Sequence, residues 1–210
     1  MSVPIRSARW SKIIAGEKRK ETFHKENNVF IKLDVETVYF SARMSTERKR
    51  ITELIEPNES VMVMFSGCGI YPLVIAKNTK CKEVYGIEIN PAAHKYALEN
   101  IKKNKLENKI KIFLGDVKKI LPKINKKFDR ILMPLPKGGE NFLELSLKHI
   151  KKNGIIHFYD FLHEDEFEKA HEKIKKACEK SNKKFKIIGT VKCGQYSPGF
   201  FRVCADFIVG

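Results

Sequence analysis

Long hydrophobic runs are missing from this chain. The longest apolar stretches, such as residues 61–65 and 155–159, are strand-sized, far short of the ~20 residues that a membrane-crossing helix needs. The first residues, Met1 to Arg6, lack the apolar segment of a signal peptide. No membrane partner is expected, and a cytoplasmic location is. Cysteine is sparse and scattered: Cys68, Cys81, Cys178, Cys193 and Cys204 form no Cys-x-x-Cys pair. His94, His149, His157, His163 and His171 complete no ligand spacing with them, so neither a disulfide framework nor a metal site is expected. Acidic residues are also short, at 25 Asp and Glu against 41 Lys and Arg, a formal net charge of +16 over 210 residues. Such an excess attracts polyanions, of which nucleic acid is the commonest in a cytoplasm. Part of it lies in ordinary helix-surface pairs such as Lys102-Lys103 and Lys175-Lys176, which a lysine-rich proteome also produces.

What is present is a core and a rhythm. Hydrophobic residues make up 42% of the chain, 14 of them Phe, enough to bury a full α/β domain. Strand-like runs at 61–65, 83–88, 110–114, 128–133 and 154–159 alternate with amphipathic stretches at 71–78, 91–104, 117–124, 140–150 and 165–180. Asn90 followed by Pro91 reads as a helix N-cap and first helical residue. Strands apolar on both faces with helices between them argue for a parallel sheet covered on both sides. After Lys180 two strand-like runs, 184–192 and 200–209, are joined by turn formers, which predicts an antiparallel hairpin at the sheet edge. That ground plan is similar to class I S-adenosylmethionine-dependent methyltransferases, Rossmann-like α/β domains; nicotinamide dehydrogenases keep all strands parallel. Residues 1–58 stand outside the alternation, with a strand at 28–35 and a turn into a helix over 38–55. They read as an N-terminal extension to a domain spanning 59–210.

Three motifs end successive strands. Gly67 and Gly69 follow the first, where a backbone without side chains lets a ligand approach closely. A dinucleotide fingerprint would place a third glycine near 72, and Pro72 stands there. Glu88 ends the second strand about twenty residues further on, suited to accepting both ribose hydroxyls of an adenosine; a solvent-exposed strand-end Glu is the plain alternative. Asp116 ends the third, able to accept from an adenine amine or to cap the next helix. At the fourth, Met133-Pro134-Leu135-Pro136-Lys137 is a stiffened loop, where amino-methyltransferases place an Asn/Asp-Pro-Pro segment holding the attacked nitrogen. Upstream, Arg43 and Glu47 are four apart and would share a helical face, an ordinary surface ion pair on composition alone.

Residues 21–27, 32–35, 38–50 with their Tyr-Phe-Ser-x-Arg…Thr-Glu-Arg block, 64–69, Gly115-Asp116, 154–159 and 196–199 resemble the archaeal and eukaryotic tRNA guanine-37 N1-methyltransferases. The same superfamily includes the aminocarboxypropyl transferases of wybutosine synthesis. The resemblance runs from about Leu33 to the C-terminus, more weakly back to Ile14. It implies S-adenosylmethionine as cofactor and tRNA as partner, with Glu47 as the base removing the guanine N1 proton and Arg43 steadying charge near O6. It places Tyr39 in the guanine pocket and Arg48, Phe65, Glu88 and Asp116 on the cofactor. Ile89, Val117 and Pro134 are expected in that cofactor site with Gly67 and Gly69, and Pro136 beside the substrate.

Two positions and one domain depart from the family pattern. Val63 replaces an Asp before the glycine turn, Pro134 replaces the loop Asn, and the family's N-terminal tRNA-gripping domain is expected to be absent, which admits a separate tRNA-binding chain as partner. Retention of Arg43 and Glu47 favours methylation. Aminocarboxypropyl transfer, whose branch also lacks the Asn, and a non-catalytic RNA-binding subunit stay open, as does the oligomeric state.

Overall fold

The computed structural model describes residues 16–210; the readings of the first six residues and of Ile14 fall outside them. The described chain begins with a hairpin of β1 (Glu21–Glu26) and β2 (Val29–Asp34). Its two-residue turn is Asn27-Asn28, both at positive φ (42° and 63°), the backbone that tight hairpins require and asparagine tolerates. The sequence reading missed β1. Its residues are polar or exposed until Glu26, so no hydrophobic alternation marks them. β2 does alternate, burying Val29, Ile31 and Leu33.

A short 3-10 turn, Ala42–Met44, leads into α1 (Ser45–Glu53). The strand–helix alternation then follows as predicted, through β3 (Ser60–Val63), α2 (Ile70–Asn78), β4 (Glu83–Glu88), α3 (Pro91–Lys103), β5 (Ile110–Leu114), α4 (Val117–Ile120), β6 (Phe128–Met133), α5 (Leu143–His149), β7 (Ile150–His163) and α6 (Glu168–Lys180). The predicted cap on α3 is present, Asn90 Oδ1 accepting from the Ala92 amide at 3.0 Å. The predicted helix over 117–124 is only one α turn, because Leu121–Lys123, with Pro122, tightens into a 3-10 turn. Predicted helix 140–150 likewise starts as the 3-10 turn Gly139–Phe142, and Ile150 already belongs to the following strand.

β8 (Phe185–Ser197) and β9 (Phe200–Val209) form the expected antiparallel hairpin. The seven-stranded sheet has the order β5-β4-β3-β6-β7-β9-β8, parallel through β7 and antiparallel beyond it. One face packs against the β1–β2 hairpin and α1 to α3 around Leu73, Val74 and Tyr159; the other packs against α4 to α6 around Phe128, Phe158 and Phe207. The hairpin's outer edge is closed by α3 rather than by another strand. Asn100 and Asn104, one turn apart, exchange hydrogen bonds with the backbone of Lys32 and Phe30 at 2.6–3.0 Å, satisfying an open strand edge with side-chain amides. β7 is longer than the predicted 154–159. It outruns β6 beyond the pair Met133↔Phe158 and continues to His163 against β9. Among the described residues no helix is long and apolar enough to cross a membrane.

Candidate active site at the carboxyl edge of the sheet

The strand ends meet as their motifs suggested. Beyond β3 the chain turns through Gly67 (φ 55°) and Gly69 (φ 84°) into α2. No atom lies within 4 Å of where a Gly67 side chain would start, while Ala97 Cβ stands only 3.2 Å from the corresponding point at Gly69. The turn is therefore open at Gly67, and Gly69 lets α3 approach. Glu88, ending β4, ties the turn down: its carboxylate accepts from the Gly67 amide at 2.6 Å and from the Asn90 amide at 2.8 Å. Burial pushes the Glu88 carboxyl above its usual range, with the Asn90, Gly67 and Ile89 amides pulling the other way. Each oxygen has taken one bond and retains acceptor capacity, so two donors arriving together, as from a ribose diol, would relieve the desolvation. At the next strand the Gly115 amide donates to the Glu88 carbonyl at 2.8 Å, which sets Asp116 beside it. Asp116 caps α4, accepting from the Lys118 amide at 2.8 Å.

The other residues expected around the cofactor differ in exposure. Phe65 packs edge-on against Phe142, with ring centroids 4.9 Å apart. Ile89 is exposed, Val117 buried, Pro134 half-buried and Pro136 buried. The acceptors Glu88 and Asp116 and the open turn thus lie together at these strand ends, an arrangement compatible with an adenosine-type cofactor.

Arg48 is held differently. Its guanidinium is buried and forms a two-pronged pair with Glu26 at 2.5 and 2.6 Å, with a third bond to the Ser41 carbonyl. The Phe40 and Tyr71 rings lie on it at 5.4 and 5.9 Å. In this structure Arg48 clamps α1 to the β1–β2 hairpin.

Glu47 and Arg43 do not share an environment. Arg43 is exposed in the turn before α1, whereas Glu47 is 4% exposed. The carboxylate of Glu47 takes two bonds from Arg50, both at 2.7 Å, and one from the Tyr159 hydroxyl at 2.7 Å. The expected Arg43–Glu47 pair is therefore replaced by Glu47–Arg50, since Arg43 sits before the first turn of α1 and Arg50 one turn beyond Glu47. Burial raises the Tyr159 phenol far above its usual range, keeping it a proton donor. The Tyr71 hydroxyl donates to it in turn at 3.2 Å.

From Arg50 a polar chain runs through the core. Arg50 also reaches Asp206 at 2.6 Å, Asp206 meets His157 Nδ1 at 2.6 Å, and His157 Nε2 faces Arg130 at 2.9 Å. Arg130 ends the chain on Glu59 and the Leu54 carbonyl. Arginine can only donate, so His157 Nε2 must accept and Nδ1 must carry the proton toward Asp206. Burial lowers the His157 pKa and the neighbouring guanidinium groups add to it, outweighing the pull of Asp206. For Asp206, burial acts upward, but the bonds from His157 and Arg50 win and hold it below the usual carboxylate range. His157, Cys204 and Asp206 lie within 4.8 Å of one another, yet a cation there would face two arginines and an imidazole with both nitrogens already engaged.

The sequence reading did not single out Arg50, Arg130, His157, Tyr159 or Asp206. The available signal was polarity in the wrong place: Arg130 adjoins the apolar run 131–133, His157 interrupts 155–159 and Asp206 interrupts 203–209, and buried charge is retained only when paired.

Residues 22–188 match the TRM5/TYW2 methyltransferase domain. The chain belongs to the TRM5/TYW2 methyltransferase family. A tRNA (guanine(37)-N(1))-methyltransferase, Trm5b, of Pyrococcus abyssi is 40% identical over 197 residues, 93% of this chain and 58% of that protein. A tRNA(Phe) (4-demethylwyosine(37)-C(7)) aminocarboxypropyltransferase of Methanocaldococcus jannaschii is 36% identical over 93% of this chain and 77% of that one. The crystal structure of M. jannaschii TYW2 in complex with AdoMet superposes with a TM-score of 0.82 at 34% identity, covering 93% of this chain and 89% of that one. The TRM5/TYW2 match thus includes the strand-end turn, Glu47 and most of the polar chain; Asp206 lies beyond its last matched residue. This chain spans little more than half the length of the P. abyssi relative.

Proposed function

We propose that this TRM5/TYW2 domain methylates N1 of guanine 37 in tRNA, next to the anticodon, with S-adenosylmethionine as donor. One observation carries the reading. Glu47 is held by Tyr159, which stands one residue past the Met133↔Phe158 pair, level with the Pro134 loop and on the same sheet edge as Gly67, Glu88 and Asp116. A proton acceptor thus shares an edge with a nucleoside cradle. The cofactor supplies an electrophilic methyl group there.

Guanine N1 carries its proton at neutral pH and must lose it to become a nucleophile. Glu47 is the acceptor, but in the free protein three donors occupy its carboxylate. Three of the roughly four acceptor positions of a carboxylate are then taken, and release of one donor restores the basicity that proton removal needs. Arg50 is suited to yield, because its third nitrogen stays on Asp206 at 2.6 Å when the two facing Glu47 let go. Arg43, exposed at the turn before α1, supplies the cation for O6, and Tyr39 a ring beside the base.

A second reading rests on Pro134, which puts no polar side chain in the loop after β6. That would suit transfer of the cofactor's aminocarboxypropyl chain instead of its methyl group. Parallel incubations of unmodified tRNA and of tRNA carrying 4-demethylwyosine at position 37, each with cofactor labelled on the methyl or on the aminocarboxypropyl carbons, separate the two. Methyl label alone in the tRNA supports the proposal; label only from the other chain overturns it in favour of the second reading.

A further inference from the structure

Beyond its last pair with β6, β7 runs on from Tyr159 to His163, roughly 13 Å at ~3.3 Å per residue, and among the described residues it pairs there with β9, which pairs in turn with β8. We propose that this projecting blade is a stacking ledge for an unpaired RNA base flanking the target guanine. The inference rests on the reading of the chain as a tRNA-modifying domain and adds a subsite to it.

Side chains two apart on a strand share a face, so the face that carries Tyr159 continues with Phe161 and His163. Cross-strand partners extend it: Phe161 pairs with Arg202, and His163 with Phe200. Tyr196, 63% exposed, lies over Phe161 with centroids 4.2 Å apart at 31°. The Arg202 guanidinium covers Phe161 at 5.2 Å, and exposed Phe200 packs edge-on against His163 at 5.3 Å. Opposite Arg202 on β8 stands Gly194, with nothing within 4 Å of where its side chain would be, so the ledge is open on that side.

Arg202 also joins the ledge to the site. One of its terminal nitrogens donates to the Tyr39 hydroxyl at 3.0 Å, and its Nε is shut off from solvent without a partner. Aromatic rings with an arginine over them recognise the π-faces of bases with little regard to sequence. In a chain of net charge +16, charge complementarity favours a polyanion over an apolar protein surface.

The test is the affinity of the full chain for a fluorescent anticodon stem–loop RNA and for a fully paired duplex of the same length. Tyr196→Ala should weaken stem–loop binding by roughly 5- to 150-fold, the range for one lost base stack, while leaving duplex binding and S-adenosylmethionine affinity unchanged. Tyr196→Phe should retain wild-type affinity. Equal stem–loop binding by Tyr196→Ala overturns the ledge, and so does an equal loss on both RNAs. Altered self-association in sedimentation with RNA binding intact also overturns it, assigning the face to a protein contact. The methyl-transfer assay is independent. A Tyr196-dependent stem–loop complex without any transfer keeps the ledge and removes the proposed reaction; transfer with an inert Tyr196 does the reverse.

Discussion

Changing Glu26 to glutamine should strand the Arg48 guanidinium inside the protein. The two side chains are 5% and 3% exposed and share two charge-assisted bonds at 2.5 and 2.6 Å. Glutamine keeps the shape, removes the charge and turns one acceptor into a donor facing a donor. Removing one partner of a buried pair costs about 3–5 kcal/mol. Glutamine retains one acceptor and the Ser41 carbonyl remains, so the lower end, about 3 kcal/mol, is expected. At roughly 2–4 °C per kcal/mol for a domain of this size, the unfolding midpoint should fall by about 6–12 °C. Circular dichroism melts at fixed pH measure it, with Glu21→Gln as a control on the same hairpin. Glu21 meets only the half-exposed Lys32 and Tyr96, and its replacement should barely move the midpoint. Cofactor affinity of Glu26→Gln, measured well below its midpoint, should match wild type, because the clamp acts on α1 and the hairpin rather than at the strand ends. A midpoint within ~2 °C of wild type would refute the clamp.

Three further outcomes follow from the site. Glu47→Gln keeps an oxygen for Tyr159 but cannot accept the proton, so transfer should fall by at least ~100-fold with cofactor affinity unchanged; near-normal turnover in a single-turnover assay would remove Glu47 as base. Glu88→Ala should raise the cofactor Kd by roughly 10- to 100-fold, the worth of bonds to a charged acceptor; calorimetry showing an unaltered Kd would place the ribose elsewhere. His157, lowered in the fold, stays neutral while the unfolded chain takes up its proton below ~6.5. Stability from this group is therefore full above that pH and is lost as pH falls toward the folded value, at up to ~1.4 kcal/mol per unit. Urea titrations from pH 7.5 to 5 should show that slope reduced in His157→Gln; identical slopes would contradict a neutral His157 in the fold.

The sheet was legible in the sequence because β3 to β6 are short, largely apolar runs closed by a glycine, an acid or a proline, and α3 and α6 repeat at 3.6 residues. Asn90 could be read as a cap because capping is local. β1 could not be read, since its mostly polar, exposed residues carry no hydrophobic alternation and it is held by pairing with β2 through the Asn-Asn turn. The active-site motifs were visible as spacing along the chain, which is why Gly67 and Glu88 were found and do meet. The partners of Glu47 and Arg48 were not, because spacing on a helix names neighbours four residues away, whereas burial chose Arg50, Tyr159 and Glu26. Tyr159 is 112 residues from Glu47; only the packing of α1 on the sheet brings them together.

The measurement that bears most directly on the proposed reaction is the identity of the modified nucleoside. Unmodified tRNA incubated with the full chain and methyl-labelled S-adenosylmethionine, then digested and mapped, should yield labelled 1-methylguanosine at position 37 alone, and none with Glu47→Gln. Label at another nucleotide, or no label while the cofactor is bound, would contradict it.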